Sequence, residues 1–71
     1  MVVGARTINK TLYVIAVNPS YDPATAIISL KGIGSRSFAV FGESRTVQTR
    51  RSLLVDGFEP LAVHVYIAAP R

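Results

Sequence analysis

Read for alternation of apolar and polar positions, the chain divides into about seven short runs separated by turn-forming residues. Val2 to Ile8 is a first, peripheral strand carrying Gly4 and Arg6, and Asn9-Lys10 turns it. Thr11 to Val17 is apolar on both faces, with Leu12, Val14 and Ala16 on one and Tyr13, Ile15 and Val17 on the other. Such a run predicts a central strand covered on both sides. Asn18 to Pro23 breaks it with two prolines. Ala24 to Leu30 alternates, placing Ala26, Ile28 and Leu30 together, and Lys31-Gly32-Ile33-Gly34 connects it onward. Arg36 to Phe41 sets Phe38 and Val40 opposite Ala39 and Phe41, before a tight turn or bulge at Gly42-Glu43-Ser44. Arg45 to Thr49 and Leu53 to Val55 read as a hairpin around Arg50-Arg51-Ser52. Asp56-Gly57 turns again, Leu61 to Ile67 is the last strand, and Pro70 ends the pattern.

No segment keeps the helical spacing between caps, and no link is long enough for a parallel crossover. The predicted fold is one all-β domain over residues 1–71, an antiparallel β-sandwich, Ig-like in the loose sense, with a small β-barrel as the alternative.

Composition narrows this further. A chain of 71 residues that is 49% hydrophobic can build a core, but a thin one, so burial against a second copy or another partner would help. Absence of cysteine removes disulfides and thiolate metal sites. The apolar runs are strand-sized, too short for a membrane-spanning helix. Met1-Val2-Val3 runs straight into patterned sequence, and the expectation is a piece of a larger protein. The net charge of +4 raises nucleic acid or another acidic polymer as an alternative partner. Its carriers Arg6, Lys10, Lys31, Arg36, Arg45, Arg50, Arg51 and Arg71 are scattered, which favours a solvated surface.

Three segments carry a resemblance: Leu12-Tyr13-Val14-Ile15-Ala16-Val17-Asn18-Pro19-Ser20, Gly42-Glu43-Ser44-Arg45-Thr46-Val47 and Phe58-Glu59-Pro60-Leu61-Ala62-Val63-His64-Val65-Tyr66. Together they resemble the C-terminal β-sandwich that follows the (β/α)₈ catalytic barrel in several glycoside hydrolase groups. The resemblance implies a non-catalytic accessory module, structural or carbohydrate-associated, whose partner is a catalytic barrel domain. In such enzymes the catalytic carboxylates lie in the barrel.

The residues themselves point the same way. Glycoside hydrolysis needs two carboxylates facing across a cleft. Here Asp22, Glu43, Asp56 and Glu59 all sit beside turn residues, which predicts turn chemistry and solubility. His64 is the single histidine and has no cysteine or second histidine to share a metal, so neither metal nor cofactor is expected. No spacing singles out Ser20, Ser29 or Ser35 as a nucleophile beside it. Gly32-Ile33-Gly34 lacks the lysine and helix of a phosphate loop, and Asn9-Lys10-Thr11 matches a glycosylation sequon. Tyr21, in a loop, and Tyr13 are the candidate carbohydrate platforms. If Val63, Val65 and Ile67 point inward, then His64 and Tyr66 point outward beside Pro60 and Leu61. Those four residues form the candidate interface, open to self-association by face packing or edge pairing.

Overall fold

The structure is a computed structural model that describes residues 1–68; the expectation for Pro70 lies outside them. Seven strands form in chain order: β1 (Val2–Ile8), β2 (Thr11–Val17), β3 (Ala24–Ser29), β4 (Ser37–Val40), β5 (Thr46–Gln48), β6 (Leu53–Phe58) and β7 (Val63–Ala68). No helix occurs among the described residues. A five-stranded sheet in the order β1-β2-β7-β4-β5 packs on a two-stranded sheet, β3-β6, and every pairing is antiparallel. The result is a sandwich, not a closed barrel.

Alternation decides what meets in the middle. Val14 and Ala16 of β2, Phe38 and Val40 of β4, and Tyr66 and Ala68 of β7 face inward from the large sheet. Ala26 and Ile28 of β3, with Leu30 beyond it, and Leu54 and Phe58 of β6 meet them from the small one. Leu12, Ile33, Val47 and Ala62 fill the margin.

Two buried polar residues tie the loops to this core. Asn18 Nδ2 donates to the carbonyls of Asp22 and Glu59, at 2.9 and 3.0 Å, and its Oδ1 accepts from the Ser20 amide. Asn18 thereby joins the loop after β2 to the turn before β7. At the other end, Thr49 Oγ1 donates to the Gly34 carbonyl and accepts from the Arg36 amide. Both side chains find partners for their polar atoms, the condition for burying them without a desolvation penalty.

Four expectations change. β2 is central in hydrogen bonding but covered on one face only: Ile15 is 47% exposed, and Tyr13 and Val17 are half-buried. Its second apolar face belongs to an open surface, so two-sided hydrophobicity did not mean two-sided cover. Asp56-Gly57 is not a turn, because β6 runs unbroken to Phe58 in register with Ala24. The Arg50-Arg51-Ser52 turn closes on an isolated Arg50–Leu53 bridge and carries the chain from the large sheet to the small one. Finally, β7 lies between β2 and β4, so it has no free edge with which to pair a second copy.

Candidate functional site

The strongest concentration of chemistry lies where β6 and β7 face each other beside the start of β5. On β6, Leu54, Asp56 and Phe58 share the inward face, so the carboxylate of Asp56 enters an otherwise apolar layer. Arg45 reaches it bidentately, Nη1 to Oδ1 at 3.0 Å and Nη2 to Oδ2 at 2.9 Å. The Tyr66 hydroxyl donates to Oδ2 at 2.6 Å, and the Gly57 amide to Oδ1 at 2.9 Å. His64 stands on the same face of β7, with Nδ1 3.2 Å from Asp56 Oδ2 and 3.1 Å from the Tyr66 hydroxyl. Phe58 stacks on the imidazole with ring centroids 4.2 Å apart. On the outside, Arg45 Nε donates to Glu43 Oε1 at 2.8 Å, and Glu43 Oε2 lies 3.8 Å from His64 Nε2.

Burial works to raise the Asp56 carboxyl. The hydrogen bonds from Arg45 and Tyr66 outweigh it, so the group is held below the ordinary aspartate range. Burial, then the bond to Asp56, pushes the Tyr66 phenol well above its ordinary value. The bonds to Asp56 and then Glu43 hold Arg45 more firmly protonated still. A carboxylate kept ionised with both oxygens engaged serves as an anchor for cations and donors; it holds no proton for a leaving group. Chemically, the cluster acts as a polar clasp between the two sheets. Among the described residues no group of three or more His, Asp or Glu side chains is placed to hold a metal ion.

This overturns the expected orientation of β7. His64 and Tyr66 point inward, Tyr66 with no exposed surface, while Val63, Val65 and Ile67 point outward. Hydrophobicity alone favours Val63, Val65 and Ile67 as the inward set. Asp56 supplies the polar partner of His64 and Tyr66 from within the sandwich. His64 and Tyr66 therefore cannot line an exposed interface, whereas Pro60 and Leu61 are exposed in the turn before β7. Asp56 is likewise no turn residue, while Asp22 and Glu59 are exposed outside the strands and Glu43 joins the clasp. Ser20 Oγ accepts from the Asp22 amide, and Ser29 and Ser35 are exposed.

The candidate platforms do not converge. Tyr21 is 83% exposed in the loop after β2, whereas Tyr13 lies near the opposite end of β2, opposite Arg6 and Ile67 on its two neighbours. Arg45 and Asp56 were the residues missed, although a signal existed. An acidic residue sharing alternation with Leu54 and Phe58 on a core strand demands a cationic partner.

A second feature is the outer face of the five-stranded sheet. Its registers set Val2, Val17 and Val63 in one row, and Gly4, Ile15 and Val65 in the next. Phe41 adjoins that second row through its amide bond to the Val65 carbonyl at 2.8 Å. A third row holds Arg6, Tyr13, Ile67 and Ala39. Val63 is 58% and Phe41 69% exposed. Across these three rows the only charged side chain is Arg6, at the sheet's β1 edge. Comparison with family models, curated proteins and solved structures found no match to this chain.

Proposed function

We propose that the chain is a non-catalytic accessory module that docks through the outer face of its five-stranded sheet onto a larger partner domain. The observation that carries this reading is that face: contiguous Val, Ile, Tyr and Phe side chains across three strands, with charge confined to one edge. Contiguous exposed apolar patches of this kind mark interaction surfaces. The resemblance of the Leu12–Ser20, Gly42–Val47 and Phe58–Tyr66 segments to the sandwich following glycoside hydrolase barrels supports the same role, with the barrel as the partner. The contact would run through Val63, Val65 and Ile67, the opposite side of β7 from His64 and Tyr66.

Carbohydrate association is the second reading, favoured by one observation. Tyr21 projects from a loop braced by Asn18 and Ser20, an arrangement that presents an aromatic ring to solvent. Affinity electrophoresis in polysaccharide-containing gels, run beside nucleic-acid retention at two salt concentrations, separates the readings. A docking module migrates unchanged in both. Retardation by a polysaccharide that Tyr21→Ala abolishes would move the function to glycan binding. Steeply salt-dependent nucleic-acid retention would replace both readings.

A further inference from the structure

The two sheets are unequal, and the shortfall falls on one side. On the β5 and β6 side the sandwich is shut by the Arg45–Asp56 pair and the short crossover at Arg50 to Leu53. The opposite side is open. There β1 is exposed along its whole length on both faces, because the two-stranded sheet stops at β3 and leaves it uncovered. A groove of about 660 Å³ results, bounded by Met1 and Val3 above and by β3 and the Asn18-Pro19-Ser20 loop alongside.

The β3 wall of this groove carries a row of main-chain hydrogen-bonding groups. The Leu30 amide donates to the Ser52 carbonyl at 2.8 Å, one step beyond the Ser29–Leu53 pair of the β3–β6 ladder. In an antiparallel ladder alternate residues bond to the same neighbour. Ala26 and Ile28, with the amide of Leu30, thus turn toward β6, while Thr25, Ile27 and Ser29 turn their main-chain groups into the groove. Among the described residues β3 has no strand on that side.

We propose that this free edge of β3, roofed by β1, is a strand-addition site for an extended segment of a partner polypeptide with alternating small apolar and polar residues. The open row of N–H and C=O groups fits a peptide main chain. Strands in a sheet are spaced about 4.8 Å apart, so one added strand extends the small sheet beneath β1. Its inward side chains meet Val3 and the margin of the core; its outward ones join Thr25, Ile27 and Ser29 in solvent. A second copy fits less well, since joining two β3 edges brings two overhanging β1 strands into the same space. The site is independent of the outer face of the large sheet, and either can fail without the other.

The test uses a capped heptapeptide of alternating valine and threonine with one lysine for solubility. The measurement is its binding to the intact chain by fluorescence anisotropy and residue-resolved amide exchange. Saturable binding with new protection at the Thr25, Ile27 and Ser29 amides is expected. Ile27→Pro removes an amide that β6 does not use, a substitution an edge strand accepts, and it should weaken binding at least about tenfold while the fold persists. Should that variant unfold, the same peptide methylated on alternate main-chain nitrogens makes the equivalent cut on the ligand side and should bind at least about tenfold more weakly to the native chain. Absence of saturable binding at millimolar peptide overturns the proposal, as does binding indifferent to methylation. Concentration-dependent protection of the same three amides without peptide also overturns it, in favour of a second copy on that edge.

Discussion

Asp56 is the residue on which the sandwich's polar interior turns. Its carboxylate accepts from Arg45, Tyr66 and the Gly57 amide, so removing it leaves the guanidinium with Glu43 alone and the buried phenol with the His64 ring alone. Breaking a fully buried pair costs about 3–5 kcal/mol. Arg45 is 36% exposed and partly screened, so Asp56→Ala should cost nearer about 2 kcal/mol in urea unfolding. Tyr66→Phe keeps the packing and loses one charged hydrogen bond, for a cost of about 1.5 kcal/mol. The signs with pH follow from the two shifts. Asp56 is depressed in the folded state, so its contribution is full above the ordinary aspartate value near 3.9 and is lost as pH falls below it. Tyr66 is raised, so the folded chain keeps a proton that the unfolded chain releases above about pH 10, and stability falls from there upward. Unfolding midpoints measured across both limbs should show the acid slope shrinking in Asp56→Asn and the alkaline slope shrinking in Tyr66→Phe. Unchanged slopes would mean that the clasp contributes nothing. This cluster was half legible in the sequence. The parity of Leu54, Asp56 and Phe58 was there to be read, but the identity of Arg45 as partner depended on a sheet-to-sheet contact that no local pattern encodes.

At the scale of elements, strand existence was legible and strand environment was not. β2 stands out by its unbroken apolar run from Leu12 to Val17, whereas alternation marks β3 and β4 because burial on one face imposes a period of two. The same rule misassigned β7, where either face could pass for the core: Val63, Val65 and Ile67 by hydrophobicity, His64, Tyr66 and Ala68 by the partners waiting inside. The β1–β2 hairpin shows a local rule at work. Asn9 and Lys10 both take positive φ, 50° and 66°, the conformation of a two-residue primed turn in which glycine is the favoured second residue. Lys10→Gly relieves roughly 1 kcal/mol of backbone strain. Because β1 is exposed throughout, the gain should appear as slower amide exchange at Arg6 and Ile8, with little change at Val14 in the core. Equal effects at all three sites would show β1 to open only together with the whole domain.

At the scale of the whole molecule, the sandwich buries one face of its large sheet and leaves the other apolar and open. A chain selected to remain alone would carry polar residues at Ile15, Val63 and Phe41; this one carries large apolar groups at all three. That contrast is the basis for reading the chain as a docking module. The most direct test is sedimentation velocity over a wide concentration range, for the native chain and for Ile15→Lys/Val63→Lys, with unfolding curves for both. Both substituted side chains are exposed, so the variant should keep the native unfolding free energy to within about 1 kcal/mol. The native chain should associate as concentration rises, hiding the open face against itself, and the variant should stay monomeric. A native chain that remains monomeric up to millimolar concentration, or a variant that associates as strongly as the native chain, would contradict the docking role of this face.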